Sequence, residues 1–78
     1  MNHEHLIDMA NRIALFFDAM PDRDEARDGV ATHLRKFWEP RMRRGLLEIA
    51  AGPEAAALHP LVREVLAAGA LAPQAAAH

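Results

Sequence analysis

Few side chains of this 78-residue chain have the chemistry that catalysis requires. The sequence contains no Cys, no Ser and no Tyr, and Thr32 carries its single side-chain hydroxyl. A nucleophile with an adjacent base and an orienting group cannot be assembled from such a set. The absence of Cys also excludes disulfides, thiolate zinc sites and iron–sulfur ligation. We therefore expect no catalysis by this chain alone.

The histidines and the clustered acids do not form a recognisable site. His3 and His5 are two residues apart and diverge on a helix, whereas His33 and His59 fall on separate elements without metal-ligand spacing. We predict surface or half-buried histidines and no metal site. The acids that crowd one predicted helix start are interpreted as favourable partners of the helix macrodipole. They are Asp22, Asp24, Glu25 and Asp28.

A basic and aromatic stretch, HLRKFWEPRMRRG at residues 33–45, is the remaining candidate for a functional site. It holds five of the nine Lys and Arg residues and the only Trp. Four of the five are Arg, which binds carboxylates and phosphates through a planar fork and is enriched with Trp at interfaces. The alternative is a solvated polar face with Trp38 in the core. The predicted partner-binding residues are His33, Arg35, Lys36, Trp38, Arg41, Met42, Arg43 and Arg44.

Charge is distributed unevenly along the chain. Residues 1–28 carry −4, residues 33–44 carry +4 and residues 45–78 carry −2, giving a net charge of −2. The N-terminus has acids where a signal peptide begins with bases, and no run approaches the roughly 20 apolar residues that cross a membrane. We expect a soluble, cytoplasmic protein without a membrane partner.

Apolar periodicity predicts an all-α fold, a small bundle of three to four short helices. Asn2 and Asp22 are good N-caps for the first two helices, and Pro40 both ends the second and opens the third. A short fourth helix follows the AGP stop at 51–53, and Gly29 suggests close packing of a neighbouring helix. We expect one domain at 1–70 and a frayed tail at 71–78. The expected core comprises Leu6, Ile13, Phe17, Val30, Leu34, Phe37, Leu46 and Ile49.

Residues 5–49, HLIDMANRIALFFDAMPDRDEARDGVATHLRKFWEPRMRRGLLEI, resemble the delta subunit of NAD-dependent, molybdenum-containing formate dehydrogenases. The motifs PDRDEA and HLRKFWEPRMR, and Gly29 between them, occur in the order and spacing of that family. The resemblance implies an accessory subunit without a redox centre. It also implies a catalytic subunit that carries bis-molybdopterin guanine dinucleotide and iron–sulfur clusters, and further subunits that carry FMN and bind NAD.

The expected function is that of a non-catalytic delta subunit that docks on the catalytic subunit and supports its assembly, cofactor retention or activity. No cofactor is expected in this chain. The alternative is a small helical nucleic-acid-binding protein that uses the patch at 33–45, although such a domain is usually basic and this one has a pI of about 6.2. A homodimer of the isolated chain, formed through its apolar faces, is a third hypothesis.

Overall fold

The computed structural model describes residues 2–71, which form four α-helices and one 3₁₀ segment. In chain order these are α1 (His3–Asp18), α2 (Arg23–Phe37), α3 (Pro40–Ala50), the 3₁₀ segment (Pro53–Ala57) and α4 (Pro60–Ala67). No strand occurs within this described range. The prediction of a small all-α bundle is confirmed. Of the tail predicted to fray, residues 72–78 lie outside the described residues, and Leu71 is buried.

Side-chain caps fix the starts of the first two helices. The Asn2 side chain accepts a hydrogen bond from the His5 backbone N–H at 3.2 Å. The Asp22 carboxylate accepts from the backbone N–H groups of Asp24 and Glu25 at 2.8 and 3.3 Å. These bonds satisfy donors that have no partner within the helix. Both predicted N-caps are therefore confirmed.

Pro40 separates α2 from α3 as predicted, but the burial of the aromatic residues at the end of α2 differs from the prediction. Trp38 and Glu39 have extended backbone, with ψ of 137° and 154°. For Glu39 this is expected, because the residue before a proline avoids helical geometry. This extension carries Trp38 into the core, where it is 4% exposed, and leaves Phe37 71% exposed. The expectation that Phe37 lies in the core is wrong, and Trp38 lies in the core as the alternative interpretation of the stretch at 33–45 had it.

The core lies between the inner faces of the four helices. Five predicted core residues are buried: Leu6, Val30, Leu34, Leu46 and Ile49. Two others, Ile13 and Phe17, are partly buried and pack against them. The C-terminal part contributes the buried residues Leu58, Leu61, Val62, Val65, Leu66 and Leu71. The 3₁₀ segment and α4 therefore share one hydrophobic core with the first three helices.

Two glycines allow α1 to approach its neighbours. A Cβ atom on Gly29 of α2 would overlap the ring of Phe17, and one on Gly45 of α3 would lie 2.7 Å from Cδ1 of Leu6. Carbon atoms pack at about 3.5–4.0 Å, so neither site has room for a side chain without a shift. The close packing predicted at Gly29 is confirmed.

One amide of α1 holds the segment that leads into α4. The side-chain nitrogen of Asn11 donates to the carbonyl oxygen of Ala57 at 3.0 Å, and its oxygen accepts from the backbone N–H of His59 at 2.8 Å. His59 Nδ1 in turn accepts from the backbone N–H of Leu61 at 3.0 Å and so caps α4. Helical periodicity alone assigns Asn11 to the polar face of α1, since a helical wheel shows no contact from a distant segment.

Candidate functional site

The predicted partner-binding residues lie at and near the junction of α2 and α3, but they do not form one continuous exposed surface. Arg35, Lys36, Arg41 and Arg44 are exposed. His33, Met42 and Arg43 are half-buried, and Trp38 is buried. Of the exposed cations, Arg35 donates a hydrogen bond to the carbonyl oxygen of Ala70 at 3.3 Å. The exposed cations can reach a partner without rearrangement of the fold.

Arg43 holds the end of α2. Its guanidinium donates to the carbonyl oxygen of Trp38 and, at 3.2 Å, to that of Arg35. The last carbonyl groups of a helix have no partner within it, so a cation there satisfies them and interacts favourably with the helix dipole. Met42, beside it, packs against the core. Both side chains therefore stabilise the junction of α2 and α3.

A polar cleft of about 210 Å³ separates α3 from the start of α1. Arg41 and Arg44, three residues apart on one face of α3, line it with His3 and Glu48. His3 Nδ1 lies 2.7 Å from Oε1 of Glu54, which fixes the imidazole at the edge of the cleft. Two guanidinium groups thus share one cleft and can donate charge-assisted hydrogen bonds to a carboxylate or phosphate.

An apolar groove between α1 and α2, which we call the aromatic groove, was not predicted from the sequence. It is open, has a volume of about 440 Å³ and is lined by Phe17, Asp28, Gly29, Thr32, His33, Lys36 and Phe37. Phe16 meets Phe17 edge to face, with ring centroids 5.0 Å apart, and the His33 and Phe37 centroids lie 4.9 Å apart.

The sequence does contain a signal for this groove. Adjacent residues of a helix point about 100° apart, so the Phe16–Phe17 pair cannot place both rings in one core. Phe17 is half-buried against Gly29, and Phe16 is 74% exposed. A consecutive aromatic pair in an amphipathic helix therefore indicates one ring held at the surface.

The only large pKa shift among the described residues lies away from these surfaces, in α4. The pKa of the Glu64 carboxyl is lowered to about 2, chiefly by hydrogen bonds from Arg23 and then from Arg27, both on α2. Arg27 also pairs with Asp24, and the pKa of Arg23 is raised by its bonds to Glu64. Arg23 and Arg27 are therefore engaged in ion pairs that join α2 to α4.

The acids and histidines take the roles expected of ordinary surface groups. Asp22 caps α2, and Asp24, Glu25 and Asp28 are exposed at or near its start. His5 is exposed, while His3, His33 and His59 are half-buried. Within residues 2–71, no group of three or more His, Asp or Glu side chains could hold a metal ion. No helix in the part of the chain that the structure describes is long and apolar enough to cross a membrane.

Comparison with known proteins adds a family match. The family model described as NADH-dependent formate dehydrogenase delta subunit FdsD matches residues 5–66. The match extends beyond residues 5–49 to include the 3₁₀ segment and most of α4. No curated protein and no solved structure matches the chain.

Proposed function

The chain belongs to the family of the NADH-dependent formate dehydrogenase delta subunit FdsD, and from this we propose that it is a non-catalytic accessory subunit that docks on the molybdenum-containing catalytic subunit. Docked there, it supports the assembly, cofactor retention or activity of that subunit in the cytoplasm. The observation that carries the proposal is the family match, which reaches from α1 into α4 and so covers nearly the whole described fold.

The chemistry of the chain supports a non-catalytic role. Thr32, the single side-chain hydroxyl, is exposed on α2, and the neighbouring His33 lies about 100° around the same helix. The two side chains therefore do not form a nucleophile–base pair. Oxidation of formate and reduction of NAD need cofactors that carry electrons or hydride. In this proposal the partner subunits supply the molybdenum cofactor, the iron–sulfur clusters and FMN.

The proposed docking surface is the exposed part of the stretch at 33–45. Arg41 and Arg44 present two guanidinium groups in the polar cleft, and Arg35 is exposed on α2. An anionic groove of the catalytic subunit, or the phosphates of its cofactor, would accept several charge-assisted hydrogen bonds from them. Trp38 and Arg43 contribute from within, because they fix the bend that presents these cations.

The experiment compares charge-reversal variants in a co-purified complex. The test variant carries Arg41→Glu and Arg44→Glu. A matched control carries Arg12→Glu and Arg63→Glu, which change the net charge equally at exposed positions on α1 and α4. Circular dichroism verifies that the helices persist. Retention on the catalytic subunit and formate-dependent NAD reduction by the assembled enzyme are then measured.

We expect the test variant to lose retention and the control to keep it. A folded test variant that binds and supports activity as well as wild type would show that the basic stretch is only a solvated face. A wild-type chain that is not retained on any subunit of the enzyme would contradict the accessory role itself.

The alternative function, nucleic-acid binding through the same patch, gains no support. Arg43 and Arg35 are engaged with backbone carbonyl groups, which leaves three exposed cations of the stretch at 33–45, Lys36, Arg41 and Arg44. The chain as a whole has a net charge of −2. Nucleic-acid affinity depends largely on neutralising phosphates, so this patch is weaker for that purpose than the sequence suggested.

A further inference from the structure

Two exposed aromatic side chains of this protein, Phe37 and Phe16, lie at the aromatic groove. Among the described residues, four large apolar side chains are exposed: Leu15, Phe16, Met20 and Phe37. Phe37 lines the groove from α2, and Phe16 contacts its lining residue Phe17. Met20 lies two residues beyond the end of α1, in the turn that leads to α2. Clustered apolar exposure on a small protein marks an interaction site.

The fold itself holds these rings at the surface. Phe17 already fills the space over Gly29, where even a methyl group would overlap its ring, so Phe16 cannot take that place. The core position at the end of α2 is filled by Trp38, so Phe37 has no place inside. Both rings are therefore exposed because the residue that follows each in the sequence, Phe17 or Trp38, occupies the interior position.

The aromatic groove adjoins the cationic surface. His33 and Lys36 belong both to the predicted partner-binding stretch and to the lining of the groove. Lys36 is exposed and makes no ion pair with any residue from 2 to 71. An apolar surface with an unpaired cation at its margin is complementary to an apolar side chain with a carboxylate beside it.

We infer that the aromatic groove is the apolar half of the docking surface, and that its occupant is a segment of the catalytic subunit that inserts an apolar side chain beside Phe37 and places a carboxylate next to Lys36. The inference rests on the proposed function, because membership of a subunit family means that other subunits are available to cover the groove. Aromatic side chains that become fully desolvated at the centre of an interface carry much of its binding energy.

The experiment measures the dissociation constant of the purified chain for the catalytic subunit. The test variants are Phe16→Ser, Phe37→Ser and Lys36→Glu, and the matched control is Leu15→Ser. Phe16 meets the lining residue Phe17 edge to face, whereas Leu15, 62% exposed on α1, is not among the lining residues. Leu15→Ser therefore reports the loss of an exposed apolar side chain elsewhere on α1. All four positions are exposed, and circular dichroism verifies folding.

We expect at least about tenfold weaker binding for Phe37→Ser and Phe16→Ser, with the control within about twofold of wild type. Lys36→Glu should slow association and reduce its dependence on salt. Test variants that bind like wild type would overturn the inference while the accessory role stands. Absence of binding by wild type would overturn both.

Self-association is tested by light scattering on the isolated chain. A second copy would be the occupant of the groove if the wild type is a dimer, Phe37→Ser is a monomer, and both bind the catalytic subunit equally. That result would also overturn the inference. We expect instead that the isolated chain is monomeric at the concentrations used for binding.

Discussion

Arg23 of α2 and Glu64 of α4 form a two-pronged ion pair, with Nη2 2.6 Å from Oε2 and Nε 3.2 Å from Oε1. Arg27 donates a third bond to Glu64, at 3.0 Å to Oε1, and Arg23 also donates to the Asp18 carboxylate of α1 at 2.8 Å. A single exposed ion pair contributes little to stability, but a bidentate pair within a network contributes more because its geometry is favourable. One cluster thereby joins α1, α2 and α4.

The cluster predicts a loss of stability in acid. Because the pKa of Glu64 is lowered from 4.5 to about 2 in the folded state, the folded chain binds fewer protons than the unfolded chain between these values. The contribution of Glu64 is complete above about pH 4.5 and is lost as the pH falls through about 2. The midpoint of thermal unfolding should therefore decrease more steeply in this range for wild type than for Glu64→Gln. Identical slopes for the two proteins would contradict the prediction.

A methyl group at Gly29 should destabilise the fold. Alanine favours the helical state by about 1 kcal/mol over glycine, which would stabilise the fold. An added Cβ would, however, overlap the Phe17 ring. Such overpacking costs about 1–3 kcal/mol, so it outweighs the gain in helix propensity. We expect Gly29→Ala to lower the free energy of unfolding by up to about 2 kcal/mol, measured by urea denaturation. A more stable variant would mean that Phe17 can turn away at little cost.

Two positions three residues apart on α2 should respond differently to truncation. Leu34 is 0% exposed, so Leu34→Ala should cost about 2–5 kcal/mol, enough to unfold much of so small a domain. Phe37 is 71% exposed, so Phe37→Ala should change the free energy of unfolding by less than about 0.5 kcal/mol. Denaturant titrations of the two variants test this directly, and equal losses would place Phe37 in the core after all.

Neighbouring arginines of α3 should also differ. Arg43→Ala removes hydrogen bonds to the carbonyl oxygens of Arg35 and Trp38 and should cost about 1 kcal/mol of stability. Arg44→Ala at an exposed position should be neutral within about 0.5 kcal/mol. Thermal unfolding of both variants checks the difference. If Arg44→Ala proved the more damaging, the assignment of Arg43 as the cap of α2 would be wrong.

Helix positions were predictable from the sequence because their signals are local. Asn2, Asp22 and Pro40 act on backbone groups within a few residues, so capping and proline rules place the boundaries. Helical periodicity predicted that Phe37 is buried, and this was wrong because periodicity assumes that the helix continues through Trp38. The backbone becomes extended at Trp38, so the inward position passes from Phe37 to its neighbour.

The candidate site was only partly predictable. The cationic character of residues 33–45 follows from composition, and the exposure of Arg35, Arg41 and Arg44 agrees with it. The use of Arg43 as a helix cap depends on the angle between α2 and α3, which the sequence does not specify. The aromatic groove depends on the fit of Phe17 against Gly29, which a helical wheel cannot show.

The burial of Trp38 gives this protein a built-in optical probe. The chain has one Trp and no Tyr, so its ultraviolet fluorescence comes almost entirely from an indole ring inside the core. Emission from this ring will therefore report unfolding of the isolated chain without any label, because unfolding transfers the indole from the core to water.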